Sequence, residues 1–283
     1  MPEFNLIYDV GANDGSDTDY YLKMGYTVVA IEADPALAGR LNTRFADERA
    51  AGRVIVLNLA VTGQDQEKVN FYVSKEDWKS SLIREIAEMD SEVIDSVEVP
   101  ARSLGSLFGE FGIPGYCKID IEGYDARVIS GLAKYEGRPT HISCEASADS
   151  IREIDLDNSL LYAALDALVS IGYSTFKLVD QESLLILSAE NHYGSLYKWS
   201  TRIRTKLERW TGRPSTRYNN RRYLLRNGSP AANSSSGAFG EALPGEWSDY
   251  GTTKKLLAYH FKDYFSHTQN KQLIFWVDIH ARY

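Results

Sequence analysis

Apolar and polar positions alternate in blocks along roughly the first 180 residues, and the period changes from block to block. Short apolar runs at 6–10, 27–31, 53–60, 116–121, 141–146 and 173–179 read as buried strands. Between them apolar residues recur three and four apart, the spacing of a helix that buries one face. One such helix runs from about Asp17 to Met24 and stops at Gly25, a favourable residue at a helix end. The next opens on Asp34-Pro35, an N-cap with proline in the first turn; Leu37, Leu41 and Phe45 share its face, and Gly52 closes it. Helices are also predicted from about Asp125 to Ala133 and from Asn158 to Ile171, the latter turning Leu161, Leu165 and Leu168 to the core. Runs at 67–73 and 96–102 predict two extra strands, and Ser103 is placed to cap a helix ending near Gly112. A last apolar run, Leu273 to Ile279, closes the sheet. The alternation predicts an α/β fold: a doubly wound, mostly parallel seven-stranded sheet.

The pattern breaks before the last run. Residues 1–183 read as the core, 184–271 as an insertion and 272–283 as the final strand. Both ends of the insertion feed neighbouring strands, so it is expected to cover the acceptor side of a pocket. Within it, Leu196, Trp199, Ile203, Leu207 and Trp210 follow helical spacing. The chain carries a net charge of −8, which excludes a general nucleic-acid binder. Yet between 198 and 226 lysines and arginines, Arg221 and Arg222 among them, are opposed only by Glu208. That run reads as a solvated helix face, a site for an anionic substrate, or a surface for peripheral docking on an anionic membrane. No stretch approaches the ~20 apolar residues that span a bilayer, and the chain enters a strand at once, so a cytoplasmic protein is expected. Cys117 and Cys144 fall in apolar runs and read as buried thiols.

In an open parallel sheet, ligands bind beyond the carboxyl ends of the strands. Those ends carry Asp9 and its turn, then Glu32, then Asn58 and Ala60, then Asp120 and Glu122, then Glu145, then Asp180 and Gln181. The first turn, Asp9-Val10-Gly11-Ala12-Asn13-Asp14-Gly15, spaces its small residues by two. That is not the dinucleotide pattern G-x-G-x-x-G; it is the spacing of an S-adenosylmethionine (SAM) turn, with glycines that let a cofactor approach the backbone. Glu32 lies about 20 residues on, where an acid can accept hydrogen bonds from a ribose diol. Asp120 and Glu145 follow apolar strands and are expected to face one crevice, as a general base or as ligands to magnesium, which favours carboxylate oxygens. His192 is a further candidate base; His141 and His280 read as structural, and His260 and His267 fall in the insertion. A phosphate loop, a G-x-S-x-G elbow, an H-E-x-x-H zinc signature and a D/N-P-P-Y loop are all missing from the sequence.

Asp9-Val10-Gly11-Ala12-Asn13, Ile31-Glu32-Ala33-Asp34-Pro35, Ser80-Ser81-Leu82 and Lys118-Ile119-Asp120-Ile121-Glu122-Gly123 occur in this order. Together they resemble the FkbM family of SAM-dependent methyltransferases, over about residues 5–147. The resemblance implies the seven-stranded SAM-methyltransferase fold with an antiparallel last strand. It also implies O-methylation of a sugar, glycan or polyketide hydroxyl. It makes Gly11, Asn13 and Gly15 the turn at the methionine side, Glu32 the ribose acceptor, and Asp120 and Glu122 the family element after the fourth strand; Asp9, Ala33, Asn58, Ala60 and Ser81 are further candidate cofactor contacts. Asp180, Gln181, Arg221 and Arg222 are the candidate acceptor contacts. Two other readings remain open on the residues: a catalytically silent module binding a partner through its basic insertion, and a nicotinamide dehydrogenase using the same turn.

Overall fold

The computed structural model describes residues 5–76, 79–88, 91–149, 160–181, 184–189, 234–267 and 274–283. Its strands are β1 Leu6–Val10, β2 Thr27–Glu32, β3 Val54–Asn58, β4 Ala60–Thr62, β5 Gln66–Ser74, β6 Val93–Ser103, β7 Tyr116–Ile119, β8 His141–Asp149, β9 Thr175–Asp180, β10 Leu185–Leu187 and β11 Ile274–Arg282. Its helices are α1 Ser16–Lys23, α2 Pro35–Arg44, α3 Ala46–Ala50, α4 Arg84–Ala87, α5 Leu104–Phe111, α6 Asp125–Gly131, α7 Leu160–Ser170 and α8 Tyr250–His267.

The main sheet has eight strands in the order β10-β9-β11-β8-β7-β1-β2-β3. Strands β8, β7, β1, β2 and β3 pair in parallel, while β11 runs antiparallel between β8 and β9. This is the expected doubly wound sheet with one strand more. The eighth strand is β10, which hydrogen-bonds antiparallel to β9, so the boundary expected at residue 184 falls inside the sheet. The run at 53–60 divides into β3 and β4. Asn58 ends the first ladder by donating its side-chain amide to the carbonyls of Glu32 and Ala33, at 2.9 and 3.0 Å. The chain then joins a second sheet, β4-β6-β5, built from the two extra strands.

Local chemistry sets the helix starts. Asp34 caps α2, its carboxylate accepting from the backbone N–H of Ala36 at 2.7 Å and of Leu37 at 3.3 Å. Ser103 caps α5 by accepting from Ser106 N–H at 3.3 Å, and that helix stops before Gly112. Replacing Asp34 by Ala is expected to lower stability by about 1 kcal/mol, the usual cost of a lost N-cap, read as a lower urea midpoint at unchanged slope.

The two faces of the main sheet differ. One is apolar, with Tyr8, Val10, Ile119, Cys144, Leu178 and Ile279 packed under α5, α6, α7 and α8. On the other, register partners line up a polar row: Asp9 beside Lys118, Lys118 beside Ser143, Ser143 beside His280, and Glu145 beside Asp278. Register partners share a face, so these groups stand together. Two bonds tie the row to its neighbours: Thr18 Oγ1 donates to Asp9 at 2.6 Å, and Tyr116 and Ser143 hydroxyls lie 2.7 Å apart. Burial pushes the His280 imidazole down to about 3, which keeps it neutral. Cys117 and Cys144 are free and buried, and burial pushes both thiols up.

Only part of the insertion, expected as a cover, falls among the described residues. Among the described residues of 184–271, Ser235 alone lines the central cavity. Phe239 buries itself among Tyr20, Tyr21, Tyr26 and Tyr116. Glu241 then meets His141, the first residue of β8, and Arg282, at the end of the reversed β11. The chain has thus crossed the sheet face from its carboxyl edge to the opposite edge, and α8 packs against β9 and α7. This part of the insertion is a layer of the fold: Ser235 and Ser236 donate to Asp17 on α1, and the Leu243 carbonyl accepts from Lys177 on β9 at 2.7 Å. The helix expected at 195–210 and the basic run at 198–226 lie outside the described residues, as do His192, Arg221 and Arg222. His260 is buried within α8. No helix among the described residues is long and apolar enough to cross a membrane.

Candidate active site

A cavity of about 530 Å³ opens at the carboxyl ends of β1, β2, β7 and β8. That volume suits a nucleoside-sized ligand. Its wall begins with the turn after β1. Gly11 has φ +80°, and a Cβ there would stand 1.9 Å from the carbonyl oxygen of Asp120. At Gly15, φ +81°, a Cβ would strike Leu41 and Phe45. Both glycines therefore serve close packing of the protein against itself: Gly11 lets β1 and β7 end side by side, and Gly15 seats α1 against α2. Asn13, with φ +46°, carries the turn between them.

Glu32 ends β2 and lines the cavity. Its Oε2 accepts the backbone N–H of Asn13 and its Oε1 that of Asp34, both at 2.8 Å. A carboxylate has about four acceptor positions, so pinning two leaves others for a ligand. Burial pushes this carboxyl up to about 7, against the pull of the two N–H donors. Ala33 and Ala60 also line the cavity, with Leu37, Phe71 and Leu82 as apolar wall.

Four residues expected at the cofactor sit behind the wall. Asp9 is fully buried and bonded to Thr18; Gly15 packs on α2; Asn58 holds the backbone at 32–33. Ser81 donates its hydroxyl to the carbonyl of Glu122 at 3.0 Å and thereby props the loop after β7. The cavity is lined instead by the neighbours Ser80 and Leu82.

Below the turn stands a charge network centred on Lys118. Its ammonium lies 2.8 Å from Asp17, 3.2 Å from Asp120 and 3.8 Å from Asp9. Burial opposes the charge on Lys118, but the three carboxylates outweigh it and hold its pKa well above the ordinary value. Burial also opposes ionisation of Asp17; Lys118 and the donors of Ser235 and Ser236 reverse that, and Asp17 sits below the usual carboxylate range. Asp9 has no such set of donors, and burial raises it to about 6.

The far end of the cavity is acidic. Carboxylate oxygens of Asp120, Glu122 and Glu145 lie within 4.8 Å of one another, so the expected pair is joined by a third acid. Burial and then the neighbouring acids push Glu122 and Glu145 well above the carboxylate range. Asp278, across from Glu145, is raised to about 8 by burial and by Asp120. Its Oδ1 accepts from the Gln181 amide at 2.8 Å; Gln181 and Trp276 line the cavity mouth, while Asp180 does not. Such a cluster at neutral pH shares protons or holds a divalent cation.

The sequence did not single out Asp17, Ser235 or Trp276. An acid in the first turn of a helix is common without a ligand, and nothing local marks a serine as the partner of a residue 218 positions away.

Six strands running one way, β3, β2, β1, β7, β8 and β9, with β11 reversed between β8 and β9, define a Rossmann-like methyltransferase fold. A family model described as the methyltransferase FkbM domain matches residues 9–177. That is more than half of the chain, and the chain belongs to this family. Among solved structures, it is similar to the methyltransferase FkbM from Methylobacillus flagellatus KT, at 18% identity and TM-score 0.35. That match covers 50% of this chain and 33% of the other, so the chain spans about a third of that relative's length. A SAM-dependent methyltransferase from Geobacter sulfurreducens, in complex with S-adenosyl-L-homocysteine, is 14% identical with TM-score 0.38, covering 99% of this chain and 85% of that one. One from Thiobacillus denitrificans, in the same kind of complex, is 12% identical with TM-score 0.38, covering 98% and 84%. A search of curated proteins finds no match.

Proposed function

We propose that the chain is a SAM-dependent O-methyltransferase that methylates a hydroxyl of a sugar, glycan or polyketide-type small molecule. The observation that carries this reading is one cavity with two chemically distinct ends. At one end Glu32 is pinned by two backbone N–H groups beside an apolar wall, a fit for a ribose diol and its base. At the other stand three carboxylates.

Bound SAM supplies a methyl group on a sulfonium centre. A hydroxyl is a poor nucleophile at neutral pH, and Asp120 or Glu145, in its ionised form, would accept the hydroxyl proton as the O–C bond forms and the S–C bond breaks, leaving S-adenosylhomocysteine. The oxygen donors of the same cluster also fit Mg2+, which would activate the hydroxyl in place of a side-chain base. An acidic wall favours a neutral acceptor over an anionic one, at least among the described residues. The test is transfer of label from methyl-labelled SAM to a panel of glycosides and polyketide alcohols, with Mg2+ and with a chelator. Alkali-stable label in ether linkage supports the reading; label on nitrogen, or none despite bound SAM, counts against it.

Cofactor affinity is expected to depend on pH through Glu32. The folded carboxyl is raised to about 7, so its contribution to stability is full below its unfolded value and is lost as pH rises through about 7. Binding has the opposite sense, because ribose hydroxyls donate to the ionised form. The Kd for S-adenosylhomocysteine should rise about tenfold between pH 8 and pH 6, by titration calorimetry. In Glu32→Gln that slope should vanish.

A further inference from the structure

We propose that Phe239 is a positioning residue for the cofactor cavity: it anchors the segment Ser234–Phe239 so that Ser235 completes the wall beside Asp17, and cofactor binding and docking of this segment form one coupled step. The inference rests on the reading of the cavity as a SAM site.

Asp17 and Ser235 both line the cavity, yet they are 218 positions apart. Only tertiary contacts hold them together. Asp17, 2% exposed, accepts the backbone N–H of Ser235 at 2.9 Å and of Ser236 at 3.1 Å, and both serine hydroxyls donate to its second oxygen. The segment is shaped for this: Ser234 Oγ accepts the N–H of Gly237 at 2.9 Å, and Gly237 turns with φ +76°. Phe239 follows two residues on. Its ring stacks on Tyr116 with centroids 4.2 Å apart and planes 3° from parallel, and meets Tyr20 and Tyr21 edge-on. Phe239 is 8% exposed and does not line the cavity. It therefore acts on the cavity through Ser235.

The coupling has a physical route. Asp17 also holds Lys118, which pairs with Asp120, so the serine donors and the acidic end of the cavity share one charge network. A ligand that touches the Ser235 wall gains that contact only when the segment is docked. By linkage, the docked state then binds the ligand more tightly, and the ligand stabilises docking by the same factor.

The test uses the full chain and S-adenosylhomocysteine. Calorimetry should show Kd for Phe239→Ala raised about tenfold or more, within the usual range of coupling, with Phe239→Tyr close to wild type. Reciprocally, saturating S-adenosylhomocysteine should slow hydrogen exchange of the Ser235 and Ser236 amides in wild type by about tenfold or more. A folded Phe239→Ala that binds like wild type, or exchange at 234–240 unchanged by ligand, overturns the proposal. Should Phe239→Ala fail to fold, the double variant Ser235→Ala, Ser236→Ala keeps the aromatic cluster. It should raise Kd in the same way, and an unchanged Kd overturns the proposal equally. Wild type that does not bind S-adenosylhomocysteine at all would instead refute the cofactor reading.

Discussion

Replacing Lys118 by Met is expected to destabilise the fold by about 3–5 kcal/mol at pH 7.5, the cost of removing one partner from a buried ion network. The ammonium faces Asp17, Asp120 and Asp9, and the first and last of these have almost no contact with solvent. Methionine fills similar volume, so the loss is electrostatic. The sign with pH follows from the folded-state shifts. Asp17 is held below its ordinary pKa, so its pairing stabilises the fold above the unfolded carboxylate value, and that benefit fades in acid. Without Lys118 the same carboxylates become buried groups that prefer protonation, whose cost grows as pH rises. The gap between wild type and variant should therefore narrow from pH 7.5 to pH 4.5 in urea unfolding. A gap below about 1 kcal/mol at both pH values would show that the network is solvated rather than mutually neutralised.

Glu145→Gln and Asp120→Asn should each lower turnover about a hundredfold or more while leaving SAM affinity within a few-fold of wild type. Both changes keep shape and remove an ionisable group at the ends of β7 and β8, two and three strands along the sheet from the end of β2 that carries Glu32. Two versions of the chemistry separate on one further measurement. If a cation activates the hydroxyl, chelation abolishes wild-type turnover and Mg2+ restores it. If a side chain is the base, chelation has no effect and the pH–rate profile of wild type carries an acid limb missing from the inactive variant. Full turnover in both variants would move the base elsewhere, with His192 the next residue to change.

The sheet and its ligand edge were legible in the sequence because apolar runs of strand length and helix-period segments alternate without ambiguity as far as β9. The antiparallel β11 came only with the family resemblance, since an apolar run carries no direction. The break between β3 and β4 was not legible: it depends on Asn58 reaching the backbone of residues 32 and 33, a contact across strands. Nor was β10, whose three residues are too short a run to stand out.

Glu32, Asp120 and Glu145, which line the cavity, stood out in the sequence because charge at the end of an apolar strand is costly without a purpose. Of the two glycines, Gly11 lines the cavity and Gly15 packs behind it. A Cβ at either would meet the protein itself, at the Asp120 carbonyl for Gly11 and at the Leu41 and Phe45 side chains for Gly15, a contact across the fold that spacing alone does not reveal. Asp9 sits behind the cavity wall for a related reason: alternation places it on a face, and only the fold shows that Thr18 of α1 covers it there. The polar row from Asp9 to His280 depends on the register of four strands, which no single segment encodes.

The most direct test of the account is calorimetric titration of SAM into wild type and Glu32→Ala, with NAD as a control ligand. Wild type should bind SAM and not NAD. Glu32→Ala should bind SAM more weakly by roughly 1.5–3 kcal/mol, the range for hydrogen bonds to a charged group, with the fold intact by circular dichroism. Equal SAM affinity in the two proteins, or NAD binding in preference to SAM, would contradict the assignment of this cavity.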